Sequence, residues 1–140
     1  MIVHSYEDMT PHELRERTKR FAIEIIRSSA SLPRTDVARL IGGQLVRAGT
    51  AVGANYRAVC RSRSDRDFVA KLGIVIEETD ETAYWLEILV DAKIVTASAV
   101  SALRREADEL TRIFVTSRVT ARKNARRAAE RRPDRTNPEL

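Results

Sequence analysis

Six cations crowd residues 47–71: Arg47, Arg57, Arg61, Arg63, Arg66 and Lys71, opposed only by Asp65 and Asp67, for a net +4. An arginine fork offers two parallel hydrogen bonds to phosphate oxygens, so such a cluster suits a nucleic-acid backbone. The same residues also fit a solvated turn whose arginines pair with neighbouring acids. A second basic run, Arg118, Arg122, Lys123, Arg126, Arg127, Arg131 and Arg132, has helical spacing, with Arg118, Arg122 and Arg126 on one face. Arginine-rich segments of this kind fold onto RNA. The plain alternative is a solubilising tail. A membrane surface is the weakest reading, because no bulky apolar residues occupy the opposite face.

Other chemistry is poorly provided for. Between Leu72 and Ala92 there are acids at Glu77, Glu78, Asp80, Glu81, Glu87 and Asp91 but no Lys or Arg. Such acids form a solvated face, or pair with arginines of another helix or subunit and fix register. Carboxylate di-metal sites in helical bundles need Glu-x-x-His from facing helices, and the two histidines, His4 and His12, sit in no such motif. Cys60 is the one cysteine and reads as a small buried hydrophobe rather than a nucleophile. Catalytic triads, phosphate-binding glycine loops and zinc spacings are absent. We therefore expect a non-enzymatic protein with no metal and no cofactor.

The elements that carry these residues are four amphipathic helices, and no segment alternates with period two. Thr10, Pro11 and Glu13 open the first with a capping box, and its stripe runs Leu14, Thr18, Phe21, Ile25, Ser28, Leu32 until Pro33 ends it. The second begins at Thr35 or Asp36, with the stripe Val37, Ile41, Leu45, Ala48, Val52, Tyr56, Val59. Ser64 caps the third, Asp65 and Asp67 suit its positive end, and Phe68, Leu72, Val75, Thr79, Ala83, Leu86 and Val90 follow. The fourth starts near Thr96 or Ser98 and runs through Val100, Leu103, Ala107, Leu110 and Phe114. Short connections between long helices predict an all-α, antiparallel up-down-up-down four-helix bundle.

Gly42, Gly43, Gly49, Gly53 and Gly73 all fall inside predicted helices, where each costs about 0.8–1 kcal/mol against alanine. Close helix–helix approach is one compensation. A subunit interface is another, because Gly42, Gly49 and Gly53 share a face. Tyr84 and Trp85 are adjacent and point apart, so we assign one to the core and one to a partly exposed packing or interface position.

Charge divides the chain. Residues 1–117 hold 17 basic and 17 acidic residues, whereas residues 118–140 hold 8 basic residues against Glu130, Asp134 and Glu139. We expect a neutral bundle over 1–117 and a basic tail over 118–140, helical at first and disordered from Arg131 to Leu140. A single cysteine and no visible signal segment or membrane span fit the cytoplasm.

Several blocks, taken in order, resemble one family. They are Gln44 to Ala48, Val52 to Asn55, Arg61 to Phe68, Leu72 to Glu78 and Tyr84 to Leu86. The chain resembles the bacterial four-helix-bundle proteins first noticed as reading frames within 23S rRNA intervening sequences. The accessory variability protein of diversity-generating retroelements looks like a relative. The resemblance covers about residues 11–117. Late in helix 2 the family often carries Asn-Ile-Ala-Glu-Gly; this chain has Asn55, Tyr56, Arg57, Ala58 and Val59, without the acid and the glycine. The resemblance implies a cytoplasmic homo-oligomer, often a ring-shaped pentamer, with nucleic-acid binding in some members. A protein partner, such as a polymerase encoded nearby, is the competing implication.

Overall fold

The computed structural model describes residues 9–132. Within them lie four helices, α1 (Pro11–Ala30), α2 (Asp36–Val59), α3 (Asp65–Asp91) and α4 (Ala97–Glu130). Each start is a side-chain cap. Thr10 accepts from the Glu13 amide while Glu13 reaches back to the Thr10 amide, which completes the capping box. Thr35, Ser64 and Thr96 accept from Ala38, Asp67 and Ala99 in the same way. The α3–α4 connection closes through Lys93 at φ 59°, with Ile94 and Val95 both donating to the Leu89 carbonyl. Glycine or asparagine is usual in that left-handed position, so this stop carries no sequence signal.

Consecutive helices pack antiparallel, and a sparser α1–α4 seam closes the bundle. The core is aliphatic, built on Ile25, Leu45, Val52, Leu72, Leu86, Leu110 and Ile113, with Tyr56 and Phe114 tilted against each other at 5.6 Å between ring centroids. Three buried threonines satisfy themselves. Thr18, Thr79 and Thr82 donate to the carbonyls of Leu14, Val75 and Glu78.

Two stripes run differently from the sequence reading. In α2 the first buried position is Ala38, and Val37 is 61% exposed. In α3 the buried set is Leu72, Val75, Thr79, Thr82, Leu86 and Leu89, while Phe68, Ala83 and Val90 are only partly buried. The step through that set is close to 3.5 residues, the seam of supercoiled bundles, whereas the sequence reading advanced at the straight-helix 3.6 and drifted off.

Three glycines explain the α1–α2 seam. A Cβ on Gly49 would stand 2.8 Å from Ile25 Cγ2, and one on Gly42 would stand 2.9 Å from Ser29 Oγ. Gly53 lies against Thr18, where a Cβ would come within 3.2 Å of the hydroxyl. Of the two compensations read from sequence for Gly42, Gly49 and Gly53, close helix–helix approach is the one their surroundings supply: their shared face receives α1 of the same chain.

The helices differ in reach. At 1.5 Å per residue, the 34 residues of α4 span about 51 Å, against about 30 Å for the 20 residues of α1. The α1–α4 register is fixed by Arg17, whose guanidinium meets Glu106 at 2.6 and 3.0 Å and Glu109 at 3.0 Å. In that register the last turns of α4 run past the start of α1. Ala121 is buried, and beyond it only Ala125 escapes full exposure. The expected disorder from Arg131 onward falls, from residue 133, outside the described residues, as does His4.

Candidate nucleic-acid interface

The α2–α3 turn is braced from both sides. Amides of Cys60, Arg61 and Ser62 donate to carbonyls of Tyr56, Ala58 and Val59, and the Ser62 hydroxyl donates to the Val59 carbonyl at 2.6 Å. Across the turn, Asp67 accepts from the Arg63 amide at 3.2 Å and from the Lys71 ammonium at 2.9 Å. Lys71, then the Arg63 amide, hold the Asp67 carboxyl below its usual range. Asp67 is taken up by this bracing and exposed Asp65 pairs with no cation among the described residues, so the side chains of Arg61, Arg63 and Arg66 stand exposed without an ion pair there. Arg57 is exposed too, and its carbonyl accepts from Arg61 Nε at 3.4 Å.

The basic end of α4 lies beside this turn. Thr116, Ser117, Thr120, Ala121 and Asn124 of α4 share a cleft of about 470 Å³ with Met9 and with Asp65 and Phe68 of α3. Asp65 and Phe68 also border a second cleft of about 500 Å³, with Arg15, Tyr56, Cys60 and Arg63. The two basic runs, about sixty positions apart in sequence, therefore meet at one pole of the bundle. Arg122, Lys123, Arg126 and Arg127 are exposed on the projecting helix, and Arg131 and Arg132 are exposed just beyond its end. Arg118 is half-buried, and its Nε has no hydrogen-bond partner among the described residues.

Two predicted members are occupied elsewhere. Arg47 reaches across to α3, where it pairs with Glu81 and, at 3.4 Å, with Glu78. The Arg47 guanidinium, then the Trp85 indole donating at 3.3 Å, depress the Glu81 carboxyl. These acids thus set the α2–α3 register, one of the two roles open to them from sequence. Lys71 is engaged by Asp67. Of the candidate nucleic-acid contacts, Arg47 and Lys71 thus each hold an ion-pair partner within the chain, unlike Arg61, Arg63 and Arg66. Of the aromatic pair, Tyr84 is 52% exposed and Trp85 is half-buried, edge to face at 5.2 Å, so neither belongs to the inner core.

Burial, with Cys60 beside it, pushes the Tyr56 phenol well above its ordinary range. Cys60 is half-buried in the second cleft with no histidine lining it. Among the described residues no three His, Cys, Asp or Glu side chains are grouped to hold a metal, and no helix is long and apolar enough to cross a membrane. The sequence reading missed Arg15, which α1 brings to this pole and which no local pattern signals.

A family model described as 23S rRNA-intervening sequence protein matches residues 12–116. The chain belongs to that family. A similar solved structure is the crystal structure of a protein of unknown function from the S23 ribosomal protein family of Bacteroides thetaiotaomicron. It is 27% identical, covers 77% of this chain and 96% of its own, and superposes with a TM-score of 0.71. No curated protein matches the chain. The family match ends at residue 116, so α1 to α3 and the first part of α4 are the shared bundle, and the basic extension of α4 lies beyond it.

Proposed function

We propose that this member of the 23S rRNA-intervening sequence protein family is a non-catalytic module that binds single-stranded RNA at its basic pole. One observation carries the reading. The arginines of the α2–α3 turn and the cations of the α4 extension share one end of the bundle without ion-pair partners among the described residues, while Glu78 and Glu81 of α3 pair with Arg47 further along the helix. Phosphate contacts by such a cluster release counterions, so affinity falls with salt by about 0.7 logarithmic units per single-strand contact. The test is anisotropy of a mixed-sequence RNA titrated with the full chain, with Arg61, Arg63 and Arg66 changed to Gln, and with Arg122, Lys123, Arg126 and Arg127 changed to Gln. Both variants should bind more weakly and with shallower salt slopes. Absence of binding by the full chain at ~50 mM salt, where screening is weak, removes the reading.

A second observation supports self-association, as the family resemblance implies. Near the start of α2, Leu40 is 74% and Val37 61% exposed, neighbours about one helical turn apart. Apolar side chains of this size left in water mark an association surface when they lie together. Light scattering of the full chain should give several times 15.8 kDa, and Leu40→Glu should lower it. A monomer at micromolar concentration would leave the module acting alone.

A further inference from the structure

Arg57 and Arg61 also line a groove of about 320 Å³ that climbs the α1–α2 seam away from the pole. Its other lining residues are Arg15, Lys19, Ala22, Thr50, Gly53 and Ala54, and no Asp or Glu is among them. None of the four cations makes an ion pair among the described residues, unlike Arg17, Arg27, Arg39, Arg47 and Lys71.

Their order along the groove follows from the seam. Gly49 lies against Ile25 and Gly53 against Thr18, in an antiparallel register. That register sets Lys19 level with Gly53, Arg57 level with Arg15 one turn nearer the pole, and Arg61 a further turn on. The eight helical steps from Gly53 to Arg61 make this ladder about 12 Å long. The floor is made of small residues, and the missing Gly53 side chain keeps it open. No aromatic side chain lines it, so nothing is offered for a base to stack on.

We propose that this groove holds the phosphate backbone of a single RNA strand as it leaves the basic pole, with Arg61 shared between the two. The proposal rests on the RNA-binding reading of the pole. Regularly spaced cations over a narrow floor contact successive phosphates and carry no base readout. A duplex is too broad to enter a cleft between two packed helices. A free oligophosphate would satisfy the same cations, but over only part of the ladder.

The experiment is a salt titration of a labelled oligouridylate long enough to span pole and groove, using the full chain and two groove variants. Arg15→Gln with Lys19→Gln is the first. Lys19→Gln with Arg57→Gln, both exposed positions, is the second and guards against any loss of folding from half-buried Arg15. Arg20→Gln with Arg105→Gln, exposed positions outside the groove, is the control. Each groove variant should lower the salt slope by about 1.4, two contacts' worth, with an unchanged thermal melt. The control should change it far less, and an oligoadenylate should behave like the oligouridylate.

If the pole variants lose slope while the groove variants match the control, the groove assignment is overturned and the pole reading stands. If the full chain does not bind, both fall. Equal slope loss on a duplex contradicts the single strand. Displacement of the oligomer by tripolyphosphate at equal phosphate concentration would reassign the groove to free oligophosphates and overturn the proposal.

Discussion

Gly49 and Gly43 are both helical glycines of α2, and alanine should act on them with opposite sign. At either position alanine gains about 0.8–1 kcal/mol of helix propensity. At Gly43 a Cβ would meet nothing within 4 Å, so the gain stands and Gly43→Ala should be stabilising by about that amount. At Gly49 the same methyl would lie 2.8 and 2.9 Å from Ile25 Cγ2 and Cγ1 and 3.1 Å from its Cβ. Ile25 is fully buried and β-branched, so it has no free rotamer into which to retreat. Overpacking of this kind costs about 1–3 kcal/mol. Propensity cancels in the comparison, which leaves that cost as the difference between the two variants. Urea melts at one chain concentration read it as a midpoint difference at constant m-value. A double-mutant cycle sharpens the test. Ile25→Ala removes both colliding carbons, so Gly49→Ala should cost less in that background, although Ile25→Ala alone costs about 2–5 kcal/mol. If Gly49→Ala raises the midpoint as much as Gly43→Ala does, the α1–α2 seam is not as close as described, and the register of the groove cations goes with it.

Two further outcomes concern the ties between helices. Arg17→Met should cost ~1–2 kcal/mol in the same melts, because a two-pronged, partly buried pair on the sparsest seam is lost and Glu106 is left half-covered; no loss would show that the pair is already matched by solvent. The second concerns acid. Glu81 is depressed in the folded chain, so its contribution is present above the unfolded carboxylate value of 4.5 and is lost as pH falls through the lower folded one. Glu81→Gln should therefore lower the urea midpoint at neutral pH, with the gap closing in acid, and the emission of Trp85, the one tryptophan, should follow the same titration. A gap that persists undiminished at low pH would contradict the Arg47–Glu81 tie.

Where the helices start was legible because capping is local chemistry. Thr10, Thr35, Ser64 and Thr96 announce α1 to α4 within a turn of each start. The exposed arginines of the α2–α3 turn were legible for the same reason. What failed depended on distance. The sequence cannot show that Arg47 meets Glu78 and Glu81, or that Arg15 and Lys19 face Arg57 across a seam set by glycines. Nor does the basic run from Arg118 onward disclose that Ala121 is buried beside Phe68 and Met9. Cutting the chain at residue 118 would remove a packed residue along with the charge. Neutralising the α4 cations in place is therefore the cleaner perturbation.

The central claim is that the turn and the α4 extension form one RNA surface, and arginine protection tests it most directly. The full chain is labelled with an arginine-specific dicarbonyl, with and without saturating single-stranded RNA, and labelling at each arginine is read by mass spectrometry. Arg61, Arg63 and Arg66 should be protected together with Arg122, Arg126 and Arg127, while Arg39 and Arg105, exposed elsewhere on the bundle, keep their labelling. Protection spread evenly over all of these, or confined to α4 with the turn still reactive, would contradict the account.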